Sequence, residues 1–395
     1  MKKKSLNEKN IVKLAIASRI FCIALSLVSS LIGNLDGPRN SIVFGPDVTI
    51  LYRLVSPFVN WDGNHFLNIA VNGYDSVLSH AFFPGLPITM RLVSFPFSFL
   101  IEDSAIRIAL CGVILNQIMF VIASVGLYRL SLHFCDASQK IAFRATLFFI
   151  FPSSNIFMSA LYTETPFAMC TFWGLYYLYV KRKVFPATIF LFLASFYRSN
   201  GILSTFFILH EAFRGSFSKY IGVLSSVCIY LPYFLYSSWS RNLYCSFASV
   251  DYHSWCAAHS SIYGYIQSHF WGVSFLSYWK LANIGYFILM IPTLVVSVSA
   301  AVHFLKNQVF PPNFTKIASN PLIPFLLQMG VLTAFTLFIA NCQILTRILS
   351  SCPIYFWTLE KITRNNSTAG QFLLILHLGY FLLGPLIFSN GLNWT

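Results

Sequence analysis

Charge is what this sequence lacks. Only 10% of its 395 residues are charged, and 12 acidic residues stand against 26 lysines and arginines. A soluble globular domain carries about 25% charged residues, so this chain cannot cover a water-facing surface. Amphipathic helices with polar faces, which a soluble core of this size needs, are scarce as well. Several signatures of chemistry are missing too. The nine cysteines form no CxxC, which removes the usual zinc-ligand spacing. There is no HExxH pair, no GxxxxGK[ST] phosphate loop and no DxD pair for a nucleotide-sugar metal. No basic face interleaved with stacking aromatics occurs in a soluble stretch, so the net charge of +14 does not point to nucleic acid.

What is present is apolar: 56% of the residues are hydrophobic and 17% aromatic. Repeated apolar runs of about 20 residues predict an all-α polytopic membrane protein. Crossings are expected at about 11–33, 105–128, 145–160, 161–180, 184–197, 202–213, 219–238, 281–305, 320–340, 343–359 and 370–390, about 11 in all. The first follows a basic "MKKK" and has no small-x-small cleavage site after it, so it reads as a retained span. The pieces on either side of "FYRSNG" are short enough to be a broken or re-entrant pair, tolerated where backbone is buried or lines a wet cavity. No internal repeat and no separate soluble domain is evident, so residues 1–395 read as one membrane-integral domain.

Placing "MKKK" in the cytosol sends the basic clusters to the same side: Arg129, Lys140 and Arg144; Lys181, Arg182 and Lys183; Arg214 and Lys219; Lys306 and Lys316; Lys361 and Arg364. The other side receives two long loops, 34–104 and 239–280, and the terminal "SNGLNWT". Long loops that are neither basic nor of low complexity are usually functional. The first contains "AFFPGLPITMRLVSFPFSFLI", which reads as an interfacial or re-entrant element.

With so few acids, each can be weighed. Glu8, Asp136, Glu211 and Glu360 fall on the basic side and read as loop residues. Asp36 and Asp47 sit in turn chemistry, and Glu102 and Asp103 precede a span as a cap would. Asp62, in "NWDGNHF", has two readings. It is a turn-forming Asp-Gly, or it is a general base partly desolvated by flanking rings. Glu164, in "SALYTETPF", lies where two spans meet, and an ionisable group at membrane depth is functional by default. Its partners would be Arg198 and Arg347, arginines at span ends on the side the basic residues avoid. These three either form an interhelical ion pair or capture an anionic phosphate. The histidines His65, His80, His253, His259 and His269 make no ligand pattern, so no metal or other cofactor is expected.

Five stretches in order resemble the luminal and membrane motifs of the glycosylphosphatidylinositol (GPI) mannosyltransferase 2, or PIG-V, family. They are "SPFVNWDGNHFLNIAVNGYD" with "AFFPGLPI"; "FCDASQKIAFRATLFFIFPSSNIFMSALYTETPFAMCTFWGLYYL" with "FYRSNGIL"; "SIYGYIQSHFWGVSFLSYWKLANIGYFILMIPTL"; "CQILTRILSSCPIYFW"; and "YFLLGPLIFSNGLNWT". The resemblance covers roughly residue 50 to 395. It implies a GT-C-type enzyme of the endoplasmic reticulum membrane, with its N-terminus cytosolic and its active site luminal. Such an enzyme takes mannose from dolichyl-phosphate-mannose and adds the second mannose of the GPI core, α1,6-linked, to a lipid-linked acceptor. A small membrane partner subunit is a further implication.

The residues then take roles. Inversion from a β-linked donor to an α-linked product calls for one displacement with a carboxylate base, and Asp62 is the candidate. Arg198 and Arg347 are candidates for the donor phosphate. Glu164 would orient an arginine or bind a sugar hydroxyl, and His65 and Asn200 would add supporting hydrogen bonds. Trp61 and Trp255 either stack on sugar faces or anchor the chain at the interface. The loop between Cys245 and Cys256 is shorter than in animal members of the family, and the family likeness suggests a disulfide between them, as an oxidising lumen permits. Rival readings are another dolichyl-phosphate-sugar-dependent glycosyltransferase, a transporter, and a non-catalytic scaffold subunit. Sequons at Asn313, Asn365 and Asn366 fall on the cytosolic side of this topology, and Asn393 on the luminal side.

Overall fold

The computed structural model describes residues 2–31, 44, 49–246, 255–258, 261–306, 317–365, 367–392 and 394. Asp36, Asp47, Asp251, His253, His259, Asn313, Lys316, Asn366 and Asn393 therefore lie outside the described residues. Helix is the only regular structure among the described residues. The helices are α1 (Lys2–Leu31), α2 (Ile50–Val55), α3 (Asp62–Asn72), α4 (Gly85–Ser94), α5 (Ser104–Phe134), α6 (Gln139–Ile150), α7 (Glu164–Leu175), α8 (Val184–Tyr197), α9 (Thr205–Phe213), α10 (Lys219–Cys245), α11 (Trp255–Ala258), α12 (Ile262–His269), α13 (Ile284–Lys306), α14 (Ile323–Phe338), α15 (Leu345–Ile348), α16 (Pro353–Arg364) and α17 (Thr368–Phe388).

Five described stretches are long and apolar enough to cross a bilayer: Asn7–Leu31, Ser104–Phe134, Lys219–Cys245, Leu281–Lys306 and Thr368–Phe388. Val184–Tyr197 and Ile323–Phe338 are apolar but shorter. The chain is a multi-pass membrane protein. The structure differs from the expected crossings where proline intervenes. The stretch expected to cross at 145–160 ends its helix at Ile150, just before Pro152, because the residue preceding a proline is pushed out of helical geometry. An irregular segment with one 3₁₀ turn, Asn155–Met158, follows up to Glu164. The crossing expected at 343–359 is likewise divided, into α15, a 3₁₀ turn and α16, which begins at Pro353. The "FYRSNG" break occurs as expected: α8 stops at Tyr197, Arg198 is extended (φ −148°, ψ 143°), and a 3₁₀ turn leads into α9. Gly201 lets this turn lie against α8, since a Cβ there would meet Ser195 Cα at 2.5 Å.

Local chemistry sets the other helix starts. Asp103 caps α5, its carboxylate accepting from the Ala105 and Ile106 N–H groups. In the first long loop α4 has 10 residues, about 15 Å, too short to cross. It turns Ile88 and Leu92 outward, followed by exposed Phe95, Phe97 and Phe99.

At one end of the bundle the basic loops meet their acids. Arg129 pairs with Glu8 at 2.6 Å. Glu211 takes Arg182 and Arg214, each at 2.6 Å, and the Ser216 hydroxyl at 2.7 Å. Glu360 lies 3.7 Å from Arg144 and 3.8 Å from Arg364. Glu211 and Glu360 are buried, so they are clamps between helices rather than the loop residues expected from sequence.

Candidate active site

The stretch before α3 is tightly fixed. Trp61 has φ 56°, a left-handed conformation that a bulky residue rarely adopts. Tyr162 holds it there: the Asp62 N–H donates to its hydroxyl at 3.1 Å, and that hydroxyl donates to the Asn60 carbonyl at 3.3 Å. The Asn60 amide donates to Phe388 O at 2.7 Å, tying the stretch to α17. Turn bonds from Gly63 N to Asn60 O and from Asn64 N to Trp61 O close the same segment. The turn reading of Asp62 describes its backbone. It sits in a turn that starts a helix, and its carboxylate is free of that turn.

That carboxylate meets Arg347. Arg347 Nη2 lies 3.2 Å from Asp62 Oδ2, and its Nε donates to Glu164 Oε1 at 2.9 Å. Arg198 Nη1 reaches the same Glu164 oxygen at 2.9 Å. The order is thus Asp62, Arg347, Glu164, Arg198, drawn from α3, α15, the start of α7 and the α8 break. Two carboxylates and two guanidinium groups balance to zero. The Arg347 guanidinium also lies over the rings of Phe157 and Tyr162, at 4.4 and 4.8 Å from their centroids. Glu164 is buried, at the N-terminal end of α7, where the helix dipole favours an anion. Its Oε2 has no hydrogen-bond partner. The Asp62 side chain is 37% exposed.

The exposure of Asp62 is to a cavity of about 820 Å³. Trp61, Asp62, Arg198, Asn200 and Arg347 line it. Glu164 stands behind the two arginines. His65 and Trp255 do not line it. His65 stacks on Phe82 at 4.8 Å, and burial pushes its basicity below the ordinary imidazole value, opposed by Asp62 and Asp75. Trp255 is buried against Tyr265 at 4.8 Å, because the short helix α11 turns it inward; a sugar-stacking role for it has no geometric basis. Cys245 and Cys256, also away from the cavity, are joined by a disulfide with a Cα–Cα distance of 5.6 Å.

Sequence reasoning missed part of the wall. The second long loop contributes Tyr263, Gln267 and Trp271, and the terminal stretch contributes Trp394. Trp394 packs edge-on against Tyr380, and its indole N–H is unpartnered. Among 41 phenylalanines, 20 tyrosines and 8 tryptophans, no single aromatic stands out as a wall residue. The terminal motif "GLNWT" was the one signal that could have found Trp394.

Charged groups gathered at helix breaks face a cavity of mixed polar and apolar lining, and together with the apolar helices they define a class: a polytopic membrane protein with a charged interior cavity. Within that class, the family model described as mannosyltransferase (PIG-V) matches residues 9–395, and the chain belongs to that family. It is a glycosyltransferase. Among curated proteins it is similar to GPI mannosyltransferase 2 of Cryptococcus neoformans, with 27% identity over 83% of this chain and 84% of the relative. It is also similar to GPI alpha-1,6-mannosyltransferase 2 of Rattus norvegicus, with 25% identity over 98% and 99%. The same protein of Homo sapiens is 24% identical over 98% and 99%. Among solved structures it is similar to an oligosaccharyltransferase of Archaeoglobus fulgidus, with a TM-score of 0.48 and 14% identity. That likeness covers 94% of this chain and 53% of the other, so the chain spans about half of that protein's length.

Proposed function

We propose that this protein is the α1,6-mannosyltransferase that adds the second mannose to the GPI precursor, using dolichyl-phosphate-mannose as donor. The reading places it in the endoplasmic reticulum membrane as one catalytic domain, N-terminus cytosolic and cavity luminal. A small membrane subunit would be its partner. The observation that carries the chemistry is the Asp62–Arg347–Glu164–Arg198 row on a cavity wall.

In the reaction Asp62 takes the proton of the acceptor's 6-hydroxyl as that oxygen attacks the anomeric carbon. The bond from that carbon to the phosphate oxygen breaks on the opposite face, and the configuration inverts. Dolichyl phosphate leaves as a stable anion, so no acid is required, unlike the two-carboxylate arrangement of a glycosidase. Arginine forks suit the phosphate, and no metal is invoked. Arg198 has one acid partner and lines the cavity, so it offers the first anchor for the donor phosphate. Arg347 is shared between two acids. A phosphate that engages it competes with Asp62 for Nη2 and releases the base as the donor arrives. Trp61, Trp271 and Trp394 supply faces for sugars, and Asn200 an amide oxygen without a partner.

The test is Asp62→Asn in membranes supplied with both substrates. Turnover is expected to fall by about 10²–10⁴-fold, as removal of a general base does. Turnover near wild type would reject Asp62 as the base.

A further inference from the structure

One wall of the cavity is not like the others. Besides the polar groups Asn200, Tyr263 and Gln267, the cavity is lined by Leu332, Phe335, Ile344 and Ile348. Ile344 and Ile348 flank Arg347 in sequence, so apolar surface begins directly beside a guanidinium. Leu332 and Phe335 both line the cavity, yet Leu332 is buried and Phe335 is 42% exposed. The wall thus passes from the interior to the outer surface of α14. On that surface Leu327, Val331 and Phe335 are all exposed and follow one another at i, i+4 spacing, so they form a stripe along one helix face. The stripe runs about 12 Å at 1.5 Å per residue. At the other end the helix is covered. Leu276 N–H donates to Phe338 O at 2.6 Å, and the Trp279 indole N–H donates to Leu337 O at 2.7 Å. Val273, from the same segment, lines the cavity.

The two lipid substrates place their tails differently. In the donor the prenyl chain is bonded to the phosphate itself. In the proposed acceptor, a mannosyl-glucosaminyl-phosphatidylinositol, the glycerolipid lies beyond two sugars and a phosphoinositol from the reacting hydroxyl. Only the donor needs apolar surface touching the phosphate site. We propose that the stripe Phe335, Val331 and Leu327 is the track along which the donor's prenyl chain leaves the cavity, away from the covered end and toward the N-terminal end of α14. This rests on the donor assignment above.

The experiment compares two mannosyl phosphate donors, one on long-chain dolichol and one on a single-isoprene alcohol, with saturating acceptor. The double variant Phe335→Ser, Val331→Ser is measured beside Phe372→Ser, a replacement on the exposed face of α17. In the double variant the KM for the long-chain donor should rise about tenfold, the order expected for losing the apolar contact of a large side chain. The kcat, the acceptor KM and the KM for the short donor should hold, and Phe372→Ser should change none of them. An unchanged long-chain KM overturns the track. A rise in acceptor KM alone assigns the stripe to the acceptor lipid instead, and equal losses with both donors reduce it to a structural element. If wild type uses neither donor, the donor assignment itself fails, and the track falls with it.

Discussion

At the scale of single residues, the site turns on the difference between a fork and a point charge. Arg347 reaches Glu164 through Nε and Asp62 through Nη2, a planar pair of separated donors that the single nitrogen of a lysine does not reproduce. Arg347→Lys is therefore expected to leave Asp62 unplaced and lower kcat by about 10²-fold or more, within the general-base range. Arg198→Lys keeps a charge beside one oxygen and is expected mainly to raise the donor KM. Steady-state kinetics with each substrate varied in turn separates the two, and equal effects on kcat would count against the division of labour. These four charged residues were legible in the sequence because a carboxylate or guanidinium is conspicuous in an apolar chain. The pairing of Glu164 with Arg198 and Arg347 was legible too, but the contact of Arg347 with Asp62 was not, since the two are 285 positions apart. That Trp255 lies away from the cavity was not legible, because an aromatic in a long loop carries no sign of which way its helix faces.

At the scale of elements, the reactive residues come from interruptions. Glu164 opens α7 after the irregular stretch that follows Pro152, and Arg198 is the extended residue between α8 and the next turn. The first interruption is held from α1, where buried Arg19 donates to Asn155 O at 3.1 Å and Ser159 Oγ at 3.0 Å. Short apolar pieces made the second break readable, whereas the first falls within the crossing expected at 145–160, which runs through Pro152. The role of the buried Arg19, inside the first expected crossing, was not legible, because its acceptors at 155 and 159 are far away along the chain. The second interruption depends on Gly201. A Cβ there would lie 2.5 Å from Ser195 N and Cα, so the backbone of the break must move and Arg198 with it. Gly201→Ala should lower kcat/KM for the donor by tenfold or more, since small misplacements cost that much. A variant with wild-type donor kinetics would show that the break tolerates the shift.

At the scale of the whole molecule, the acids divide between two ends. At one end Glu8, Glu211 and Glu360 tie basic loops together. At the other, Asp62 and Glu164 face or back a cavity. The positive bias of the loops was readable along the chain. The pairing that turns those loops into clamps was not, because Arg214 reaches Glu211 from the end of the same helix while Arg182 must come from the turn before α8. The division makes a contrast testable in one experiment. Glu211→Gln leaves two arginines facing a neutral amide in a buried position, a loss on the order of 1–3 kcal/mol, tempered because Arg182 is half in solvent. The melting temperature of the detergent-solubilised protein should drop by several degrees, while turnover of the folded fraction stays near wild type. Glu164→Gln should do the reverse in kind, lowering kcat because both arginines lose the oxygen that aligns them. If Glu211→Gln abolishes turnover at unchanged melting temperature, the two ends are coupled through the bundle, and the charge at the basic end belongs to catalysis as well as to stability.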